Sequence, residues 1–227
     1  MKQMKNPNET NGYVMLYTMQ DKRSLDVLKK EKRFINRLEY ASEHLGDIYE
    51  FFREKYTYFV KQAEQIVPKP EDVKLPIWCS VSNKNCMKPD ENSVAYCLKV
   101  PAEKIVYLDG AKWDYVLNNH YVPLNEEDLK QYYKYLKDNK MPNPFLIGSE
   151  DYRYLYPEEY KKIYESYKRI FDIDKWNIFA VQGNIWEITE DMIVKVYYHD
   201  DPIDISEENL IDYFCLLYTS DAADDSL

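Results

Sequence analysis

Phe179 to Tyr198 reads FAVQGNIWEITEDMIVKVYY. Two runs rich in β-branched and aromatic residues flank the acidic stretch Ile188-Thr189-Glu190-Asp191. This predicts two strands joined by a tight acidic turn. Side chains alternate along a strand, so Gln182, Asn184 and Trp186 share one face. That polar stripe is either a working surface or the solvated side of a sheet. Glu187 falls on the opposite face. A bulge would be needed to bring it beside Gln182, and Gly183 is the residue able to form one. Just upstream, Pro157 precedes Glu158 and Glu159. Tyr160, Ile163, Tyr164, Tyr167, Ile170 and Phe171 then follow at helical spacing. Strands that follow helices without strict alternation indicate an α+β fold.

Outward from there, Tyr13–Met19 and Leu75–Val81 read as strands. Ala95–Val100 and Lys104–Leu108 read as strands broken by Pro101. Ser24 is placed to cap a short helix. From His44 to Val67, Leu45, Ile48, Phe52, Phe59, Ala63 and Ile66 mark one face of a long helix that Pro68 and Pro70 end. Trp113–Asn119 reads as a short helix, with Asn118 or Asn119 suited to a left-handed cap. Asn125 caps an acidic helix start at Glu126-Glu127-Asp128. The expectation is a single α+β domain over 13–214, with mixed or antiparallel sheets, about six strands and several helices. It follows a disordered stretch, 1–12. Cys215–Leu227, CLLYTSDAADDSL, breaks the apolar pattern of the helix expected to start at Ser206. It resembles translated sequencing-adapter DNA and is read as a non-native tail.

The 227 residues suffice for one sizeable core, and the 23 tyrosines must fill much of it. With 5 glycines there is no phosphate-cradling loop. A net charge of -10 disfavours nucleic acid as a partner. No apolar run approaches the ~18 residues of a membrane span, and the polar N-terminus lacks a signal region. A cytoplasmic protein is therefore expected. Cys79, Cys86, Cys97 and Cys215 form no C-x-x-C pair, and no metal site is expected.

Four stretches in order carry a resemblance: LYTMQ (16–20), LPIWCSV (75–81), WDYVLNNHYVP (113–123) and QGNIWEITEDMIVKV (182–196). Together they resemble a bacterial and phage family, domain-of-unknown-function family 3841. A weaker likeness is to the ADP-ribosyltransferase superfamily, whose members bind a dinucleotide between two small sheets. That likeness implies NAD as cofactor, first-strand binding residues at Thr18 or Gln20, a packing residue at Trp78, and late-strand residues Gln182 and Glu187, with Glu187 catalytic. The first strand departs from that pattern in having neither Arg nor His.

The residues also have plainer readings. Gln20 at a strand end either caps backbone or reads a carboxamide. Trp78 is either core or a stacking platform. His120 is either structural or a base. Three functions stay open: an enzyme binding a dinucleotide, a non-catalytic protein-interaction module, and a small-molecule-binding module. If Thr18, Gln20, Trp78 and Gln182 share one cleft, the enzyme reading gains. If they lie on opposite faces, the interaction module leads.

Overall fold

The computed structural model describes residues 3–203. One antiparallel sheet of six strands organises the chain. In sequence order its strands are β1 (Tyr13–Asp21), β3 (Ile77–Ser80), β4 (Ser93–Pro101), β5 (Val106–Asp109), β6 (Val181–Ile185) and β8 (Ile193–Tyr197), and in space they run β5-β6-β3-β1-β4-β8. A separate two-stranded ribbon pairs β2 (Arg33–Phe34) with β7 (Ile188–Thr189). Among the described residues there are seven α-helices, and the fold is α+β.

The strands beginning at Tyr13, Ile77, Val181 and Ile193 do join one sheet, but the predicted Phe179–Tyr198 hairpin does not form. β6 lies between β5 and β3, while β8 lies on the far edge beside β4. The intervening residues supply β7 and a 3-10 turn, Glu190–Met192. Turn chemistry alone cannot reveal that each strand finds a non-local partner.

Register assigns the two faces, because directly opposed residues of an antiparallel pair share a side. Thr18 opposes Tyr96 and Gln20 opposes Val94. Val14, Leu16, Tyr96, Leu98, Ile77 and Val181 bury on this face with Leu28 of α1 (Ser24–Glu31). On the other face Tyr17 opposes Ser80, Ser80 opposes Gln182, and Trp78 opposes Asn184. The helical layer covers this side. It comprises α3 (Tyr49–Ala63), α4 (Gly110–Leu117), α5 (Glu126–Asp138), α6 (Pro144–Ile147) and α7 (Pro157–Ser166), whereas α2 (Leu38–Leu45) packs its Tyr40 on Phe34 of the α1 side. Phe59, Trp113, Tyr132, Ile163 and Tyr167 form its core with Val106 and Leu108.

The long helix predicted over 44–67 is broken. Gly46, at φ +52°, separates α2 from a 3-10 turn and α3. A left-handed glycine interrupts a helix at little steric cost, which a count of apolar positions does not register. Phe59 packs as expected, whereas the side chains of Leu45 and Ile48 lie outside the described set. Ser24 is the first residue of α1 rather than its cap, and its hydroxyl bonds the Tyr96 hydroxyl at 2.7 Å. Asn125 caps α5 through the Asp128 N–H, and Pro157 opens α7, both as predicted. Asn119 takes φ +56°. Residues 3–12, expected to be disordered, lie against the sheet. Gln3 donates to the Tyr107 carbonyl at 3.0 Å, and Asn6 is buried with its amide 3.3 Å from the Tyr107 hydroxyl. The expected Ser206 helix and the 215–227 tail lie outside the described residues.

Candidate functional site

The structure divides the four expected ligand residues between two faces of the sheet. Thr18 and Gln20 project to the α1 side, and Trp78 and Gln182 to the helical side. They do not converge on one cleft as expected. β1 and β3 meet through one paired position, Tyr17 with Ser80. Beyond it the Thr18 hydroxyl donates to the Trp78 carbonyl at 2.7 Å, and the Gln20 amide donates to the Thr18 hydroxyl at 2.8 Å. Here side chains bond a carbonyl that the short ladder leaves to them. Thr18 and Gln20 thus hold the β3 backbone from behind.

Trp78 is a packing residue. Its ring lies 5.0 Å from Phe59, 5.5 Å from Trp113 and 5.9 Å from Tyr56, centroid to centroid. These neighbours pack against the ring expected to stack on a ligand, and Trp78 stays half-buried. Gln182 is half-buried beside the start of α4, where a Cβ on Gly110 would meet its amide at 3.5 Å. The stripe that includes Gln182 therefore faces helices rather than solvent. Trp186 is buried and donates to the Val67 carbonyl at 2.8 Å. Asn184 is 1% exposed, and neither of its amide atoms has a hydrogen-bond partner.

Gly183 forms no bulge. It pairs regularly with Cys79 and Tyr107, and an added Cβ would sit 3.1 Å from Leu16 Cδ2. Close packing against β1 is its role. The bulge lies between β4 and β8, at Cys97/Leu98. Glu187 accordingly stays out of the Gln182 face. Its carboxylate is ion-paired with Arg33 of β2, whose guanidinium also binds Asp72 at 2.7 Å. These contacts raise the Arg33 pKa, Asp72 above all, with burial opposing.

Other groups capable of chemistry are muted. Burial pushes the thiol of Cys97 up to about 12 and that of Cys86 up to about 11, so neither is a thiolate at neutral pH. Burial also lowers His120, which packs edge-on against Tyr115. Among the described residues no group of three His, Cys, Asp or Glu side chains could hold a metal ion, and no helix is long and apolar enough to cross a membrane.

One surface stands out that the sequence reading missed. Phe51 of α3 is 40% exposed and stacks on Phe145 of α6, 37% exposed, with centroids 5.8 Å apart and planes 19° off parallel. Leu146 is exposed beside Phe145 in sequence. Beside it, Glu50, Arg53, Glu54, Thr57, Tyr58 and Lys61 of α3 line a groove of about 400 Å³ with Tyr164 of α7. Tyr164 stacks on Tyr160, whose hydroxyl donates to Glu150 at 2.8 Å. Phe51 lies next to Phe52, which was assigned to the buried face. An exposed aromatic beside a helical stripe was the available signal.

No curated protein and no solved structure matches the chain. The order of strands and helices that carries these residues spans the four sequence stretches described above, and a family model, "Domain of unknown function (DUF3841)", matches residues 15–194, so the chain belongs to that family.

Proposed function

We propose that the chain is a non-catalytic protein-interaction module. Its helical face receives a partner whose surface combines an apolar centre with basic flanks. The stacked Phe51–Phe145 pair carries this reading. Two rings from separate elements that meet in solvent form the centre of an apolar patch, and such patches mark binding surfaces. Glu50, Glu54 and Glu150 near it are each paired with a cation of this chain, Arg53, Lys55 and Arg153, so attraction of basic partners rests on the overall charge of -10.

The dinucleotide reading is weaker for three reasons. The half-buried Trp78 ring already packs on Phe59, Trp113 and Tyr56, Thr18 and Gln20 point to the other face, and the Glu187 carboxylate is held by Arg33. A catalytic carboxylate would have to leave that ion pair.

The test is a photo-crosslinking phenylalanine analogue at position 51, followed by a binary binding assay with the purified captured protein. Phe51→Ser with Phe145→Ser should weaken binding by about 100-fold, as for two hot-spot residues of about 1.4 kcal/mol each, while leaving the melting temperature unchanged. Equal affinity of the double variant would sink the reading. Release of nicotinamide from NAD by the wild type, lost in Glu187→Gln, would sink it independently.

A further inference from the structure

Glu50 opens the α3 stripe that lines the groove between α3 and α7, and Lys61 closes it, about 16 Å further along the helix axis. Lys61 is exposed and has no ion pair among the described residues. Tyr58 stands one turn before it and is only 6% exposed. The Tyr58 hydroxyl has no hydrogen-bond partner among the described residues. It is not sealed from water either, so it opens into the groove that Tyr58 lines. Tyr164 of α7 meets Tyr58 edge to face, with centroids 5.0 Å apart, and its hydroxyl is likewise unbonded among the described residues. Burial pushes both phenols up, so each keeps its proton at neutral pH. Each is a donor for which the chain supplies no acceptor. Two carboxylates also line the groove, and both are neutralised. Glu50 pairs with Arg53 at 3.1 Å, and Glu54 pairs at 3.1 Å with Lys55, whose side chain is 3% exposed. Three cations against two carboxylates leave one positive charge, and it lies at the Lys61 end. Glu54 is seven residues away, about 10 Å along the helix axis.

The geometry points to a carboxylate-binding site at the Lys61 end of this groove. The ligand's carboxylate lies between the Lys61 ammonium and the hydroxyls of Tyr58 and Tyr164. It accepts from all three, and hydrogen bonds to an ionised acceptor are short and strong. A single net positive charge suits a monoanion. A phosphate dianion would bring an uncompensated charge to a chain already at -10. At about 400 Å³ the groove has room for the body of a small ligand as well as its acid group. The site needs neither Phe51 nor Phe145, so it stands or falls apart from the docking of a protein on that pair.

N-acetylleucine is the probe, and N-acetylleucine amide, the same body without the charge, is the control. Both are read on the full chain at constant ionic strength by NMR shifts of the Tyr58 and Tyr164 rings. The acid should give saturable shifts and bind about tenfold more tightly than the amide, as for a charge-assisted hydrogen bond. Lys61→Met should weaken the acid by about tenfold, and Lys61→Arg should keep binding because charge and donors remain. Tyr58→Phe, read at Tyr164, should weaken it by about threefold, as for one neutral hydrogen bond. Its melting temperature should not change, since the hydroxyl bonds nothing in the free protein. Melting also checks that the Lys61 variants fold. No saturable shift with the acid would overturn the proposal. So would equal affinity for acid and amide, indifference to Lys61→Met or to Tyr58→Phe, or tighter binding of inorganic phosphate than of the acid. A tetrapeptide with a free C-terminus and sodium acetate form two further arms. Tighter binding of the peptide identifies a chain end as the source of the carboxylate, and tighter binding of acetate identifies a small free acid.

Discussion

Thr18 and Asn184 show opposite fates of a buried polar side chain. Thr18 is satisfied twice, by the Trp78 carbonyl and the Gln20 amide. Thr18→Val keeps the shape and orphans both partners, so urea unfolding should show a loss of about 1–3 kcal/mol. Asn184 has nothing comparable to lose among the described residues. Asn184→Leu replaces an unpaired amide by an apolar group of similar size, and should raise stability by about 1 kcal/mol in the same assay. A loss of that size would show that the amide is satisfied in solution. The sequence let both residues be placed on strands and on a face relative to their strand neighbours. It did not say which face of the sheet each strand turned to which layer. That depends on the β1–β3 register, set by a pairing about 60 residues apart. The packing of Trp78 was unreadable for the same reason. Its ring neighbours come from α3 and α4, which no local pattern ties to β3.

Elements with strong end signals were the legible ones. Asn125 and the acids after it fix the start of α5, and the Asn125 side chain does accept from the Asp128 N–H at 2.9 Å. Asn125→Ala should cost about 1 kcal/mol by thermal melting, as for a lost N-cap. In α3, Phe59 is fully buried against Trp78, Trp113 and Phe171. Phe59→Ala should cost about 3–5 kcal/mol, a large share of a domain's stability, measured by denaturant titration. α2 and α3 were read as one helix because their apolar spacing runs on through Gly46. The exposed rings of Phe51 and Phe145 escaped notice for a related reason. Periodicity identifies the residues that bury, and says nothing of the pairs that meet in solvent across two elements.

At the scale of the whole molecule, acidity should set the pH limits. The Arg23 side chain beside Asp21, the Arg33 guanidinium beside Asp72, and the Ser93 hydroxyl beside Asp90 hold those carboxyls below their ordinary values. Burial pushes Asp128 up, but the Leu124 N–H, the Tyr121 hydroxyl and the Arg169 charge outweigh it. A carboxyl with a lowered folded pKa stabilises above its unfolded value of about 4, and that contribution is lost as pH falls through the folded pKa. His120, lowered by burial, adds a smaller loss as pH falls below about 6.5, because the unfolded chain takes up the proton first. Melting temperature should therefore decline slightly below about pH 6.5 and steeply below about pH 4; a flat profile down to pH 3 would contradict this. The α+β class, the number of large-sheet strands and the family motifs were legible because each rests on local pattern. Strand order was not, and it has a bearing on biosynthesis. β6 is wedged between β3 and β5, yet it leaves the ribosome more than 70 residues after β5. Until then the nascent chain carries β3 and β5 with bare edges facing a gap that nothing earlier in the chain fills, and only the arrival of Val181–Ile185 zips the two together. Synthesis stalled anywhere between Asp109 and Val181 leaves a product with two open templates for strand pairing, and chaperone capture should be greatest for chains of those lengths.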